Sequence, residues 1–269
     1  MRCVFLLVVT VSILGCGSVP DTEGGARLLA AAEPRAPLTL DAGLLRTEVF
    51  VLDQSGQWRS SQQVLDLGSA LPLTLTSKML VAAQPGRGPH GPTHRFRNAR
   101  GDTLESRSTR IAGVRFAGRL WVDSLAAEAV WHEDYAPPLR FGVVGWPLLA
   151  QERITVDLAA GVLTLAPSQA TCHGTPIVVD GRGVVVSVDV DGERIDAILD
   201  TAATATITTD KRLARAKSVR MGDRVVNVGP IHHLDLPGLP APLLIGVPFF
   251  AAHRVTIDLP GECLVVHAK

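Results

Sequence analysis

The sequence has no excess of charge of either sign and few charges in all. Its 26 Lys+Arg balance 26 Asp+Glu over 269 residues, and charged residues make up 19%. A basic stripe of the kind that draws a protein to nucleic acid is therefore not expected. With 46% hydrophobic residues beside that low charge, overall disorder is excluded too, because the chain can bury enough apolar surface to offset the entropy of ordering it. Long hydrophobic runs are missing: after residue 16 no stretch approaches the roughly 18 apolar residues that a spanning helix needs. Several chemistry-bearing motifs are also lacking. There is no Gly-Lys-Ser/Thr phosphate loop, no GxSxG and no HExxH. The cysteines show no CxxC or zinc spacing, and His232-His233 has no carboxylate or third histidine at ligand spacing, so neither a metal nor another cofactor is expected.

What is present begins with an address. Arg2 precedes an apolar run over residues 4–14, too short to cross a bilayer, which ends Ile13-Leu14-Gly15-Cys16. This resembles a bacterial lipobox, with Gly15 the small residue at the cut and the Cys16 thiol the acceptor for lipid. The resemblance implies a signal peptide over residues 1–15 and a lipid anchor on Cys16. Gly17 and Ser18, in place of aspartate, imply the outer membrane facing the periplasm. The alternative is an ordinary secretory signal with an incidental cysteine. Residues 16–40, with Gly, Ala, Pro, Thr and Glu in no clear period, read as a flexible tether with a helical turn near 26–32. Cys3 would leave with the signal and Cys16 would carry lipid. Cys172 and Cys263 then remain as an even pair in an oxidising compartment, and a disulfide between them is expected, two buried free thiols being the alternative.

The chain repeats itself. Gly145-Trp-Pro-Leu-Leu-Ala-Gln-Glu-Arg-Ile-Thr-Val-Asp157-Leu158 aligns without a gap on Gly246-Val-Pro-Phe-Phe-Ala-Ala-His-Arg-Val-Thr-Ile-Asp258-Leu259. Upstream of each lies a second pair, Val64-Leu65-Asp66-Leu67-Gly68-Ser69-Ala70 and Ile198-Leu199-Asp200-Thr201-Ala202-Ala203-Thr204. A structural duplication is the simplest account. In each of the latter a single carboxylate stands between apolar strands, which is costly unless it is hydrogen-bonded or paired. The halves are unequal, and the extra length of the first sits mostly in residues 82–102, rich in Pro, Gly, Arg and His, which read as a long polar loop. Asp157 and Asp258 recur as well, but each ends a strand before a turn and reads as structural.

The remaining pattern is strands cut by Gly, Asp and Pro turns. They are expected at 45–53, 71–76, 111–116, 120–124, 154–156 and 162–165. The second half adds 176–179, 183–190, 194–199, 205–209, 225–228, 253–257 and 263–266. Asp191-Gly192 is a hairpin signal. Helix signals are short, at 77–83, 147–151, 211–216 and 248–252. The class is mainly β.

The two pairs of segments resemble the retropepsin-like (pepsin-type) aspartic protease family. There each lobe carries an apolar-apolar-Asp-Thr-Gly-Ala/Ser turn, and a later apolar-apolar-Gly segment packs behind it. Here Val143-Val144-Gly145 and Leu244-Ile245-Gly246 take that second part. The resemblance covers residues 42–267. It implies two pseudo-symmetric β-barrel lobes, over 41–168 and 169–269, with a cleft between them. It further implies a catalytic pair, Asp66 and Asp200, on active-site turns made by Leu67, Gly68 and Ser69 and by Thr201, Ala202 and Ala203. The pair would share one proton and activate a water against a peptide bond, with no cofactor. The loop over 82–111 would supply a flap over an extended peptide or unfolded protein, and a monomer is expected because both lobes lie in one chain. Two positions depart from the pattern. Leu67 replaces a threonine whose hydroxyl helps tie the two turns together, and Ala202 replaces a glycine. A protein of the same fold that binds extended peptides without cleaving them is the alternative.

Overall fold

The computed structural model describes residues 34–53, 55–76, 79, 93–97, 103–130, 142–169 and 171–267. The signal, Cys16 and most of the tether lie outside them, as do all but Met79 of the helix expected at 77–83 and most of the loop at 82–102. The fold is mainly β. The first half runs β1 (Arg35–Asp41), β2 (Leu44–Leu52), β3 (Trp58–Asp66), β4 (Leu73–Thr76), β5 (Thr93–Arg97), β6 (Thr103–Phe116), β7 (Arg119–Val130), β8 (Val143–Gly145), β9 (Arg153–Asp157) and β10 (Val162–Ala166). The second runs β11 (Thr175–Asp180), β12 (Gly183–Val190), β13 (Glu193–Leu199), β14 (Thr206–Thr208), β15 (Val219–Met221), β16 (Arg224–Val226), β17 (Ile231–His233), β18 (Leu243–Ile245), β19 (Val255–Asp258) and β20 (Cys263–Val266). A 3₁₀ turn, Trp146–Leu149, follows β8, and a short α-helix, Val247–Ala252, follows β18. A second 3₁₀ turn, Leu213–Arg215, lies inside the segment expected to be helical.

Both halves use one pairing scheme. β3 lies parallel to β8 with Leu65 opposite Val144 and Asp66 opposite Gly145, and β8 lies antiparallel to β4. In the same way β13 lies parallel to β18 with Leu199 opposite Ile245, and β18 lies antiparallel to β14. The hairpins β2–β3 and β12–β13 supply the strands that lead into the two aspartates. These inner strands are short and almost wholly apolar (burial complete across Leu73, Leu75, Val144, Leu243, Leu244 and Ile245), as expected for strands covered on both faces.

β9 and β19 join the halves, and they explain why the repeated segment is so alike. They pair antiparallel with Thr155 opposite Thr256, so each repeat meets its own copy. The two threonine hydroxyls share a hydrogen bond of 2.8 Å. Arg153 stands opposite Asp258, and Arg254 lies 3.8 Å from Asp157. Asp157 and Asp258 also accept turn N–H groups, from Ala160 at 2.9 Å and Gly261 at 3.0 Å, as structural aspartates do. One continuous apolar core runs under both halves, from Ala36 and Leu38 to Leu264 and Val266.

Two differences from the sequence-based expectation concern boundaries. β1 begins at Arg35, inside the stretch read as tether, and pairs with both β10 and β2. β5 lies inside the segment read as loop and pairs with the start of β6, Thr93 opposite Arg107. The Cys172–Cys263 disulfide is formed, with the Cα atoms 5.4 Å apart. It ties the segment joining the halves to the last strand.

Candidate functional site

β3 ends at Asp66 and Asp200 directly follows β13, and the two side chains meet. The chain turns sharply after each because a carboxylate can accept the N–H groups that a strand would otherwise have paired. Asp66 Oδ1 accepts from Gly68 N at 2.9 Å, and Asp66 O accepts from Ser69 N at 3.2 Å. Asp200 Oδ1 accepts from Ala202 N at 2.8 Å and from Ala203 N at 3.1 Å. Each turn is then held from behind by its glycine strand. A methyl group placed on Gly145 would stand 2.0 Å from Leu71 O, and one on Gly246 would stand 2.3 Å from Ala205 O, so only glycine lets these backbones touch.

The carboxyl groups approach across the two halves. A Cβ placed on Gly68 would lie 3.0 Å from Asp200 Cγ, so the second acid rests directly on the first turn. Both aspartates have no solvent exposure. Their second oxygens, Asp66 Oδ2 and Asp200 Oδ2, are buried and have no donor among the described residues while both groups are ionised. Two acceptors cannot bond each other until one carries a proton, and the side chains are placed to share one. Burial pushes Asp66 well above the usual carboxylate range, and the Asp200 charge beside it pushes further. Burial also lifts Asp200, to about 6, against the N–H groups of Ala202 and Ala203 that favour its charge. The pair therefore titrates as a unit, one proton being held where a solitary carboxyl would have lost it.

Thr201 fastens the turns together. Its hydroxyl donates to Leu65 O at 2.7 Å and accepts from Leu67 N at 3.0 Å, both buried. Leu67 makes no return contact of that kind. Its side chain is fully buried and belongs to the main apolar core. Ala202 sits without positive φ, 1% exposed, against Leu44, Val64 and Val143, so the extra methyl is accommodated by packing. Ser69 Oγ accepts from Leu71 N at 3.2 Å, and Ala203 O accepts from Val247 N at 2.8 Å.

The eight residues named from sequence for the acid pair and its turns thus converge on one place. Two supporting residues went unnoticed. Gly43, in the β1–β2 turn, packs against Thr204 beyond the second aspartate, and Gly183, after the β11–β12 turn, packs against Leu67 and Gly68. The signal was available, since Asp41-Ala42-Gly43 and Asp180-Gly181-Arg182-Gly183 are turn sequences between alternating apolar residues. His232 and His233 lie on β17, paired with β14. No protein-family model matches the chain, and no curated protein matches it in sequence.

Proposed function

We propose that the protein is an aspartic endopeptidase of retropepsin-like architecture, two β-barrel lobes with a substrate cleft between them, anchored to the outer membrane by lipid on Cys16 and facing the periplasm. The reading rests on one observation: Asp66 and Asp200, far apart in sequence, meet as a buried pair on matching turns, each with one oxygen tied to backbone N–H groups and one left over. In this reading the ionised member takes a proton from a water, and the protonated member donates to the carbonyl oxygen of the peptide. The water oxygen bonds to the carbonyl carbon, and the leaving nitrogen collects a proton as the C–N bond breaks. No nucleophilic side chain is consumed. Because both acids are without exposure, turnover requires an opening that admits water and an extended chain. The β5–β6 hairpin is the described part of the segment that would serve as a flap.

That same burial, together with Leu67 filling the core where a second hydroxyl would stand, favours a second reading, a peptide-binding envelope protein that does not cut. One experiment separates the two. An unfolded protein incubated with the purified chain from about pH 3 to 8 should be cleaved, faster on the acid side, with Asp66→Asn and Asp200→Asn inactive. Cleavage undiminished in both variants overturns the acid pair, and saturable peptide binding without cleavage selects the second reading.

A further inference from the structure

In the second half, apart from the acid pair, three segments line an open pocket of about 320 Å³. β16 brings Arg224 and Val226, with Asn227 following. His253 comes from the end of the helix, and Val266 and His267 from the end of β20. Arg224 brings a positive charge to it, and no side chain lining the cavity among the described residues is acidic. Arg224 gives one of its N–H groups to Val266 O, which fixes the guanidinium against the wall and leaves its fork further donors. Asn227 N donates to His253 Nε2 at 2.9 Å, so in the neutral ring the proton sits on Nδ1. His267 Nε2 bonds Thr256 Oγ1 at 2.8 Å, and that hydroxyl bonds Thr155, so the ring is oriented by the seam between the halves.

We propose that this cavity binds a small organic anion, its phosphate or carboxylate group held by Arg224 and His267 and its apolar part set against Val226 and Val266. The size suits a small molecule more than a bare ion, and a planar guanidinium beside an imidazole is a good match to either anion. The surroundings of His267 agree. Its proton affinity is held below the ordinary value by burial first and then by the charges of Arg254 and Arg224, with Asp157 pulling weakly the other way. An anion placed beside Arg224 would offset its charge and let His267 take up a proton.

The test uses the full-length protein with three probes, inorganic phosphate, acetate and phenyl phosphate, at constant ionic strength against chloride. Saturable binding is expected, tighter for phenyl phosphate than for phosphate. The His267 ring titration, followed by NMR, should move to higher pH in the bound form. Arg224→Gln, at an exposed position and with its fold checked by an unchanged thermal midpoint, should weaken binding roughly tenfold or more, since a charge-assisted bond is lost. Acetate binding without phosphate binding identifies a carboxylate site, and the reverse a phosphate site. Either supports the proposal. Absence of saturation with all three probes, binding equally strong in Arg224→Gln, or a His267 titration that ignores a bound probe overturns it.

Discussion

Thr201 reaches across the molecule to the strand that leads into Asp66, and its hydroxyl both donates to Leu65 O (2.7 Å) and accepts from Leu67 N (3.0 Å). The two turns are therefore tied by one side chain and not by a reciprocal pair. Thr201→Val keeps the shape and removes both bonds, leaving a buried N–H and a buried carbonyl short of a partner. The expected loss is roughly 2–4 kcal/mol of folding stability. Thr201→Ser should recover most of it. Urea unfolding of the three proteins, with unchanged m-values, checks this.

The glycines behind the turns set the next expectation. An added methyl at Gly145 meets Leu71 O at 2.0 Å, and at Gly246 it meets Ala205 O at 2.3 Å and Ala203 O at 2.5 Å. All three neighbours are backbone and cannot swing aside. Gly145→Ala and Gly246→Ala should each cost more than about 4 kcal/mol, in the exceptional range for one substitution. Gly56→Ala, in open space but at φ +79°, should cost only about 1 kcal/mol. Soluble yield and thermal midpoints of the three variants measure the contrast.

Much of this site could be read from the residues because its parts are local signals used twice. A lone acid between apolar runs, small residues after it and a Gly-x-Pro segment downstream each leave a mark in a few adjacent positions. The repeat identity of Arg, Thr and Asp in β9 and β19 was equally visible. Its cause was not, because only the fold shows that Thr155 and Thr256 face one another. β1 escaped notice because only Ala36 and Leu38 alternate inward and Pro37 sits between them, too little for a period of two. β5 escaped because its strand character comes from pairing with β6 and not from its own apolar content. The complete burial of both acids is a property of what surrounds them in space, and no short window of sequence carries that.

The Cys172–Cys263 bond closes a loop of 91 residues, nearly the whole second half. Restricting the unfolded chain to that extent is worth about 4–5 kcal/mol on the chain-entropy estimate. Cys172→Ser with Cys263→Ser, or reduction of the native protein, should lower the urea midpoint accordingly. The acid pair should remain buried in the folded fraction, because neither cysteine contributes to the turns.

The acid pair makes its own prediction about pH, independent of any catalysis. Asp66 and Asp200 both bind a proton more tightly in the folded protein than the ordinary carboxyl value of 3.8. Over the window from about pH 4 to above 6 the native state therefore holds more protons than the unfolded chain, and stability falls as pH rises. The contribution is fully present below the unfolded value and is lost as pH passes through the folded ones. Asp53, Asp180, Asp191 and Asp210 act in the opposite sense, since hydrogen bonds and arginine neighbours hold them below the ordinary value. The whole-protein curve mixes both effects, but the difference between variant and parent isolates the pair. Replacing one acid removes the charge that burial opposes, and the remaining acid can accept a bond from the new amide. Asp200→Asn should leave stability nearly unchanged at pH 4 and raise it by on the order of 3 kcal/mol at pH 8. Asp66→Asn should show the same sign and at least the same size. Thermal midpoints of parent and variants across that range decide it. A variant less stable than the parent at pH 8 would mean that the two carboxylates are ionised and solvated in solution, and the shared proton would have to be abandoned.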